Sequence, residues 1–481
     1  MDLKLQQSTI NNQQLLIKIT GSKSETNRLF LLQGLYPNIV LENVSNSDDS
    51  EVMLQALQQA TAIPLLGVRR LDIHHAGTAM RFLTAYFAQK VGSQFILTGS
   101  QRMQERPIAI LVDALRQLGA QIEYINQEGF PPIKIVGTKI TNNKVSLAAN
   151  VSSQYISALL LIAPKLENGL ELTLVGEITS VPYIKMTLAL LTEIGIETTF
   201  SEKKISIKPT THNPQLTTHN SQPTTITIES DWSSASYWYS IIALSPIGTS
   251  ITLSSYKQNS LQGDSVLVEI YKDFSVLTVF NINNSITISK LEAHNSQPTT
   301  HNPQLKTQNP QLTTHNPQPT THNQQPTTHN PQPTIHNPKP TTYNSQPTTH
   351  NFQPTTINLN NAPDIAQTIA VTCFGLGIGC HLTGLHTLKI KETDRLLALK
   401  TELTKLGATV SITDDSLTLE TCYNILENVK INTYQDHRMA MAFAPLALKT
   451  NIIIQNAEVV SKSYPTFWED LKEVGFDITQ I

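Results

Sequence analysis

The chain has 481 residues, of which 34 are Lys or Arg and 37 are Asp or Glu, so its formal net charge is −3. This length excludes a single small domain and is enough for two or more buried cores, because domains rarely exceed a few hundred residues. The near balance of charges argues against nucleic acid or an anionic membrane surface as a partner, and predicts that any anion site is built locally.

Cysteine usage and the amino terminus both point to the cytoplasm. Cys373, Cys380 and Cys422 form neither an even set for disulfides nor a zinc-ligand pattern, so we expect buried free thiols in a reducing compartment. The first ten residues, MDLKLQQSTI, lack the charged and apolar regions of a signal peptide, and no run approaches the ~18 apolar residues of a membrane span. The sequence therefore predicts a cytoplasmic protein.

The first predicted strand and helix enclose a candidate anion site. The strand-like run LLIKIT, residues 15–20, leads through GSKSETNR into the apolar helix LFLLQGLY. Free N–H groups at a helix start and the helix dipole attract anions, and Lys23 and Arg28 add full positive charges. The glycine spacing does not fit a Walker loop, and helix capping alone would account for Ser24 equally well.

Three further helix starts carry the same chemistry. They are HAGTAMR, residues 75–81, before RFLTAYFA; VSSQY, residues 151–155, before ISALLLIAP; and TSVPY, residues 179–183, before IKMTLALL. Each offers hydroxyls and backbone N–H groups to an oxyanion. Any one of them can be explained as a helix cap, but their recurrence favours several anion contacts.

Outside two low-complexity segments, the chain repeats a pattern of helix, glycine and strand about every 70 residues. The glycines are Gly119, Gly195, Gly407 and Gly475, Ser275 takes the same place in a fifth copy, and MLQALQQATAIPLL is a degenerate first copy. Glycine suits a left-handed helix C-cap, and the alternation that follows indicates a strand. Six units predict a modular two-domain α/β protein; a generic doubly wound fold is the alternative, but no dinucleotide fingerprint follows an early strand.

The low-complexity segments, residues 212–225 and 294–356, repeat a seven-residue unit such as HNPQPTT. The unit is too polar for a coiled coil and its prolines exclude a helix, so we predict disordered or polyproline-like surface loops without a role in chemistry. Both lie between strand-like runs, as expected of tandem expansions at hairpin tips. Nine of the 14 histidines lie in these segments, so binding of a transition metal is a second interpretation.

Basic residues recur at later segment starts and predict a ligand with more than one anionic group. They are Arg102 and Arg106 in GSQRMQERPI, Lys391 and Arg395 in IKETDRLLAL, His437 and Arg438 in YQDHRMAMAFA, and Lys462 in VVSKSYPTFWEDL. Arg binds phosphate and carboxylate bidentately, and only 15% of the chain is charged. Solvated surface charge is the alternative for any single residue.

Acidic residues accompany these cations. Asp364 in NAPDIAQT is predicted to begin a helix, Asp49 and Asp231 to open two others, and Glu392 stands beside Lys391. A carboxylate among cations stays ionised until a substrate binds, and can then exchange a proton with it. For Glu392, a charge pair at a helix amino terminus is an equally good interpretation.

Ten motifs in order resemble those of the 3-phosphoshikimate 1-carboxyvinyltransferases, also called 5-enolpyruvylshikimate-3-phosphate synthases. They are GSKSETNR, SDDSEVM, AGTAMRFLTA, QRMQERPI, SSQYISALLLIAP, SDWSSASY, APDIAQTIA, KETDRLLAL, DHRMAMAFA and KSYPTFWEDL, and they span nearly everything outside the repeats. The resemblance implies an α/β fold of two similar domains, each of three βαβαββ units, with helix amino termini facing a cleft. The implied division is residues 1–20 plus 231–481 for one domain and residues 21–230 for the other.

The resemblance also implies an activity, the transfer of the enolpyruvyl group of phosphoenolpyruvate to the 5-hydroxyl of shikimate 3-phosphate in the biosynthesis of chorismate and aromatic amino acids. The reaction is an addition followed by an elimination. The resemblance implies that the enzyme needs no metal or organic cofactor. It also implies a monomer that binds neither nucleic acid nor membrane. Gly77 and Thr78 match the glyphosate-sensitive form of their motif, which implies inhibition by glyphosate in competition with phosphoenolpyruvate.

Site residues carry over from the resemblance motif by motif. Shikimate 3-phosphate would contact Lys23, Ser24, Arg28, Ser152, Ser153, Gln154, Ser180, Tyr183, Asp364 and Lys391. Phosphoenolpyruvate would contact Lys23, Gly77, Arg102, Gln154, Arg395, Arg438 and Lys462. Asp364 would accept the proton of the 5-hydroxyl, and Glu392, assisted by Lys23, would act at the methylene carbon. His75 and Thr387 depart from the family, in which Asn is usual at both places.

Two other functions are weighed against this one. The related transferase of cell-wall synthesis acts on UDP-N-acetylglucosamine and typically uses a loop cysteine, which GSQRMQERPI lacks. A non-catalytic interaction protein built on the repeats is the second alternative. The intact set of acidic, basic and anion-binding residues argues against it.

Overall fold

The computed structural model describes residues 1–10, 15–61, 67–150, 152–210, 223–292 and 355–481. Most of both repeat segments lies outside these residues, and so do the predictions of disorder and of metal-binding histidines. The α-helices of the described part are α1 Lys23–Leu35, α2 Asp48–Thr61, α3 Gly77–Ala88, α4 Gln101–Gln104, α5 Ala109–Gln117, α6 Ser153–Ile162, α7 Val181–Glu193, α8 Trp232–Leu244, α9 Leu267–Ile270, α10 Ala366–Leu376, α11 Arg395–Lys405, α12 His437–Phe443 and α13 Phe467–Glu473.

The strands of the same residues form small sheets. They are β1 Leu3–Leu5, β2 Leu16–Ile17, β3 Ile39–Glu42, β4 Arg69–Asp72, β5 Gln94–Thr98, β6 Gln121–Tyr124, β7 Ile133–Val136, β8 Lys144–Ala148, β9 Leu170–Val175, β10 Thr198–Ser201, β11 Lys204–Ile207, β12 Thr224–Thr227, β13 Ser250–Leu253, β14 Val276–Phe280, β15 Ile286–Lys290, β16 Thr355–Asn358, β17 Cys380–Thr383, β18 Val410–Ile412, β19 Leu417–Leu419, β20 Val429–Ile431, β21 Ile452–Ile454 and β22 Ile478–Gln480. None of the described helices is both long and apolar enough to cross a lipid bilayer.

Five of the sheets formed by these strands have four strands and one topology. Their strand orders are β4-β5-β7-β6, β8-β9-β11-β10, β2-β13-β15-β14, β16-β17-β19-β18 and β20-β21-β1-β22. In the first, β4 is parallel to β5, and β5 and β6 are antiparallel to β7. A sixth sheet pairs β3 with β12 in parallel. The repeated unit is therefore a parallel pair followed by an antiparallel hairpin, and the α/β class is confirmed.

Parallel strands need a crossover connection, and a helix supplies it, as α3 does between β4 and β5. Such a helix begins where a strand has just ended, so its amino terminus and the preceding loop lie at the carboxyl edge of the parallel pair. Distant segments complete two of the sheets. β1, at the amino terminus, pairs with β21 and β22, and β2 pairs with β13.

The predicted left-handed helix C-caps occur at all five positions. The φ angle is 104° at Gly119, 87° at Gly195, 104° at Gly407 and 108° at Gly475. Ser275 follows α9 with a φ angle of 61°. A residue with a Cβ is strained in this region, so the pattern of helix, glycine and strand is confirmed, and Ser275 is its strained copy.

Buried apolar residues form two separate hydrophobic cores. The first core draws on residues from Leu3 to Ile19 and from Trp232 to Ile478. The second core draws on residues from Leu29 to Ile228. Where the chain passes from one core to the other, an isolated β-bridge joins Gly21 to Ser230. Residues on both sides of this crossing can therefore meet in one site.

The ends of the repeat segments are strands, contrary to the sequence prediction. β12 begins at Thr224 and pairs with β3 from its first residue, and β16 begins at Thr355 and pairs with β17. The prediction of irregular structure is wrong for residues 224–225 and 355–356. The two threonines that close each repeat unit are β-branched, and they extend a strand when a partner strand lies beside them.

Replacing Ser275 by Gly should stabilise the fold, because Gly adopts the φ angle of 61° without strain. The relief of about 1–2 kcal/mol is partly offset by the larger entropy of glycine in the unfolded chain, so we expect a gain of ~0.5–1 kcal/mol in the free energy of unfolding. Denaturant unfolding measures this change.

The matched control is Gly119→Ser, at a φ angle of 104°, where an added Cβ would meet no atom within 4 Å. This variant should lose about 1 kcal/mol from backbone strain alone. Destabilisation of the Ser275→Gly protein, or shifts of the same sign in both variants, would contradict the account of the C-caps.

Candidate active site

A cavity lined by residues of both parts of the chain collects the predicted polar groups. Its wall includes Ser24, Arg28, Ser152, Ser153, Gln154, Ser180, Tyr183, Asp364 and Lys391. The set predicted to contact shikimate 3-phosphate is therefore brought together, except that Lys23 is not one of the residues of the cavity wall. Residues as far apart in sequence as Ser24 and Lys391 face one space.

The amino ends of α6 and α7 supply hydroxyls to this cavity. Ser152 caps α6, since its Oγ accepts a hydrogen bond from the backbone N–H of Gln154 at 3.3 Å. The side-chain Nε2 of Gln154 donates to Thr78 Oγ1 at 3.1 Å. Ser180 precedes α7 with a φ angle of 55°, and its hydroxyl does not cap the helix. The hydroxyl of Ser180 is thus available to a ligand.

Arg28 is a buried guanidinium held by neutral oxygens. Its Nε donates to Thr187 Oγ1 at 2.8 Å, one Nη donates to Ser157 Oγ at 3.0 Å, and the other donates to the carbonyl oxygen of Ser24 at 2.6 Å. Burial lowers the pKa of Arg28 to about 10, which leaves it charged at neutral pH. A charged guanidinium in a cavity wall is suited to an anionic ligand.

Arg395, the first residue of α11, is the centre of a buried ion cluster. Its side chain is 1% exposed. Nε donates to Asp436 Oδ2 at 2.6 Å, Nη1 donates to Asp364 Oδ1 at 2.9 Å, and Nη2 donates to Glu392 Oε2 at 2.8 Å. Burial alone would lower the pKa of Arg395, but the three carboxylates raise it above the ordinary value.

Asp364 and Glu392, the predicted base and acid, are both ionised among the surrounding cations. Asp364 lies in the 3-10 turn Pro363–Ile365 before α10, and its Oδ1 is 3.2 Å from Lys391 Nζ. Burial alone would raise the pKa of Asp364, but Lys391 and neighbouring arginines hold it well below its usual range. Burial would likewise raise the pKa of Glu392, and Arg395 lowers it most strongly.

This ionisation separates the two chemical roles. The Asp364 carboxylate can accept a proton as it stands. The Glu392 carboxylate must first take up a proton, which requires that its cationic neighbours turn to an anionic ligand. A bound anion is therefore the condition under which Glu392 can become an acid.

Lys23 and Lys462 stand together beside this cluster. Lys23 Nζ is 3.2 Å from Asp49 Oδ2 and donates to the Lys462 carbonyl oxygen at 3.4 Å. Lys462 Nζ donates to the carbonyl oxygen of Gln435 at 2.7 Å. Asp49 and Lys462 also line a second cavity. The two lysines come from opposite ends of the chain, so the site is composite.

Arg106, which the sequence analysis did not select for phosphoenolpyruvate, has a better position than Arg102. The Arg102 side chain is 41% exposed, and its Nε and one Nη donate to the carbonyl oxygens of Glu392 and Lys391, each at 3.2 Å. Arg106 is 9% exposed and lines the first cavity, and its Nε has no hydrogen-bond partner among the described residues. An added Cβ on Gly77 would lie 2.6 Å from Arg106 Nη1.

Arg81 is a second arginine that the sequence analysis did not assign to a ligand. It lines the same cavity, its Nη1 donates to the Gly77 carbonyl oxygen at 2.7 Å, and its guanidinium lies 5.4 Å from the centre of the Tyr155 ring. Arg81 and Arg106 both stand inside motifs that the sequence analysis quoted. Arg81 and Arg106 are buried, whereas the Arg102 side chain is 41% exposed, and the burial of an arginine cannot be predicted from these sequence motifs.

The two departures from the family keep polar atoms at the site. His75 lines the second cavity, and its Nδ1 is 2.8 Å from Ser100 Oγ. Burial and the charge of Lys462 lower the pKa of His75, so its ring is neutral at pH 7. Thr387 lines the first cavity, and its hydroxyl is buried without a partner among the residues that the structure describes.

Solved structures of enolpyruvyl transferases have the same fold as this chain. The EPSP synthase of Acinetobacter baumannii superposes with a TM-score of 0.67, covers 100% of both chains and is 19% identical in sequence. The enolpyruvyl transferase NikO of Streptomyces tendae gives a TM-score of 0.62 at 11% identity, covering 99% of this chain and 98% of that one. At such identities the likeness establishes the fold alone.

Sequence relatives establish the family. The profile of the family described as EPSP synthase (3-phosphoshikimate 1-carboxyvinyltransferase) matches residues 8–298 and 334–471. The 3-phosphoshikimate 1-carboxyvinyltransferase of Bacteroides fragilis is 39% identical over 473 residues, which cover 96% of this chain and 95% of the relative. That of Haemophilus influenzae is 30% identical and covers 95% of this chain and 96% of its own. This chain belongs to the 3-phosphoshikimate 1-carboxyvinyltransferase family, and the resemblance of the ten motifs is confirmed.

Glu25, in the first turn of α1, should make the stability of the protein depend on pH. It is 3% exposed, and its Oε2 has no hydrogen-bond partner within the described part of the chain. Burial raises its pKa to about 7, although Lys257 opposes this shift. Above its ordinary value of 4.5 the unfolded chain releases a proton that the folded chain retains, so stability falls as pH rises from about 4.5 to about 7.

Glu25→Gln removes this titration. The free energy of unfolding of the variant minus that of the unchanged protein should be about 2 kcal/mol larger at pH 8 than at pH 5. Urea unfolding at both pH values measures the difference. A difference between the two proteins that is the same at pH 5 and pH 8 would show that Glu25 does not titrate in this range.

Proposed function

We propose that this chain transfers the enolpyruvyl group of phosphoenolpyruvate to the 5-hydroxyl of shikimate 3-phosphate and releases phosphate. The family supports this activity, which belongs to the shikimate pathway. One observation carries the proposal: a single cavity contains the hydroxyls and cations expected around one anionic substrate, and Asp364 joins it to the Arg395 ion cluster.

Shikimate 3-phosphate would occupy the side of the cavity formed by α1, α6 and α7. Its phosphate would contact the hydroxyls of Ser152, Ser153 and Ser180, where two helix amino termini add a favourable dipole. Lys23, Ser24 and Arg28 would hold the rest of the anion, with Tyr183 beside the ring. Gln154 would lie between the two substrates. Asp364 and Lys391, which line the same cavity, would also contact this substrate.

Phosphoenolpyruvate would bind where Asp364 joins the cavity to the Arg395 ion cluster, in contact with Arg395, Arg438, Lys23 and Lys462. We assign Arg106 to this substrate, because its guanidinium is buried in the cavity wall against Gly77 and forms no ion pair among the described residues. Gly77 would be needed as glycine to leave room for it. Arg102 would act on the site through its hydrogen bonds to the backbone of residues 391 and 392.

The reaction would begin when the substrate anions draw cations away from Glu392. Glu392, assisted by Lys23, would protonate C3 of phosphoenolpyruvate, which makes C2 electrophilic. Asp364 would accept the proton of the 5-hydroxyl as its oxygen bonds to C2 and forms a tetrahedral adduct. The Glu392 carboxylate would then take a proton back from C3 while the C2–O bond to phosphate breaks, which restores the double bond and releases phosphate. The arginines would stabilise charge on the leaving phosphate.

We further propose that residues 1–20 with 231–481 form one domain and residues 21–230 the other. Support comes from the two hydrophobic cores. Along the chain, the buried residues belong to the first core up to Ile19, to the second core from Leu29 to Ile228, and to the first core again from Trp232. A cytoplasmic location and a monomeric state stay predictions from the sequence.

The positions of the cysteines argue against the alternative function, that of the transferase of cell-wall synthesis. Cys373 and Cys380 are buried as expected, but the expectation is wrong for Cys422, which is only partly buried and whose Sγ lies 3.3 Å from the carbonyl oxygen of Asn424. None of the three belongs to the wall of either cavity described above. A thiol that acts on phosphoenolpyruvate is therefore not available among the described residues of this site.

Arg106→Ala should weaken phosphoenolpyruvate binding more than Arg102→Ala. Loss of hydrogen bonds between charged groups predicts a rise of ~10–100-fold in the KM for phosphoenolpyruvate for Arg106→Ala, and a rise below about fivefold for the exposed Arg102. Gly77→Ala, whose Cβ would meet Arg106, should raise both this KM and the glyphosate concentration for half-inhibition. Steady-state kinetics show which arginine variant has the larger KM for phosphoenolpyruvate. A larger effect for Arg102→Ala than for Arg106→Ala would contradict the assignment, and so would unchanged glyphosate inhibition in Gly77→Ala.

Phosphate release should require both phosphoenolpyruvate and shikimate 3-phosphate, and should depend on Asp364 and Glu392. Asp364→Ala and Glu392→Ala should each lower kcat by ~10²–10⁴-fold, the usual contribution of a general acid or base. Asp414→Ala is the control, because the side chain of that acid is 95% exposed. Release with UDP-N-acetylglucosamine in place of shikimate 3-phosphate would overturn the proposed substrate.

A further inference from the structure

Asp436 is a buried carboxylate that contacts two of the arginines expected to receive phosphoenolpyruvate. Its side chain is 0% exposed, and its Oδ2 accepts a hydrogen bond from Arg395 Nε at 2.6 Å. Its Oδ1 lies 3.4 Å from Arg395 Nη2. Oδ1 also accepts the backbone N–H of Arg438 at 2.9 Å and so caps α12.

The two edges of the Arg395 guanidinium have different kinds of partner. The edge formed by Nε and Nη2 faces Asp436, which has no solvent access. The remaining N–H groups face Asp364 and Glu392, whose side chains are 18% and 19% exposed. A ligand anion can replace these two accessible carboxylates on the guanidinium, but it cannot reach the edge that Asp436 holds.

Arg438 depends on the same carboxylate through its backbone. Its guanidinium donates to the Asp364 carbonyl oxygen at 3.0 Å and to Ser233 Oγ at 3.2 Å. The direction of this side chain is set by the first turn of α12, and Asp436 is the residue that caps that turn. One carboxylate therefore fixes the side chain of one arginine and the backbone of the other.

We propose that Asp436 is a positioning residue for enolpyruvyl transfer. It holds one edge of Arg395 and the start of α12, so that Arg395 and Arg438 direct their free N–H groups to the anionic groups of phosphoenolpyruvate. The inference rests on the proposed function and names a residue that does not touch substrate. When Asp364 and Glu392 turn to the substrates, Asp436 is the buried counter-ion that stays with Arg395.

The test compares Asp436→Asn with Asp436→Glu and with a matched control. Glu402 provides the control, because its side chain is also 0% exposed and lies in α11, the helix that Arg395 begins. Its partners are Lys405 Nζ at 2.8 Å, the Tyr434 hydroxyl at 2.6 Å and the backbone N–H of Asn432 at 3.2 Å. Glu402→Gln thus removes a buried negative charge from the same helix without changing a partner of Arg395.

Three quantities are measured for each protein: the KM for phosphoenolpyruvate in the phosphate-release assay, the Kd of shikimate 3-phosphate alone by calorimetry, and the melting temperature. Asp436→Asn should raise the KM by at least about tenfold, since it removes a charge-assisted hydrogen bond, and leave the Kd within about twofold. Asp436→Glu restores the charge and should recover part of the loss. Glu402→Gln should lower the melting temperature and leave the KM within about twofold.

A folded Asp436→Asn protein with an unchanged KM would overturn the positioning role, and so would a Kd for shikimate 3-phosphate that weakens by the same factor as the KM. If Asp436→Asn does not fold, Asp436→Glu decides. A KM raised at least about threefold supports the proposal, because the longer side chain displaces Arg395, and an unchanged KM overturns it. An unaltered protein without phosphate release would instead contradict the proposed function.

Discussion

The buried guanidinium of Arg395 is compensated by three carboxylates, and this pairing determines the form of the site around it. With its side chain 1% exposed, Arg395 is bound by Asp436, Asp364 and Glu392. Uncompensated burial of its charge would be strongly destabilising, so in the proposed reaction the substrate anions would replace carboxylates on this guanidinium. In that exchange Glu392 would lose the neighbour that lowers its pKa most, which would link substrate binding to the protonation of this carboxylate.

The fold makes such a cluster possible by repetition. In each unit a strand ends and a helix begins at the same edge of the sheet. Repetition of the unit therefore supplies several helix amino termini that can bind anions. This much could be predicted from the sequence. The spacing of Gly119, Gly195, Gly407 and Gly475 gave the number of units, and the order of hydroxyls and cations at helix starts gave most of the cavity wall.

Other parts of the site could not be predicted from one sequence, for physical reasons. Arg102 and Arg106 are four residues apart in one motif, and only their burial separates a guanidinium bound to backbone carbonyls from one that faces the cavity. Asp436 has the sequence pattern of an ordinary helix cap, and its contact with Arg395 joins two segments that are distant in the chain. The threonines at the repeat ends became strands because of partner strands elsewhere.

The central claim is that substrate anions displace Asp364 and Glu392 from Arg395 while Asp436 remains. A crystal structure with shikimate 3-phosphate and glyphosate bound tests it most directly. The account predicts that Arg395 Nη atoms contact the inhibitor, that Nε stays within hydrogen-bond distance of Asp436, and that the phosphate of shikimate 3-phosphate meets the hydroxyls before α6 and α7. An Arg395 that is still bound to both Asp364 and Glu392, with the anions held elsewhere, would contradict it.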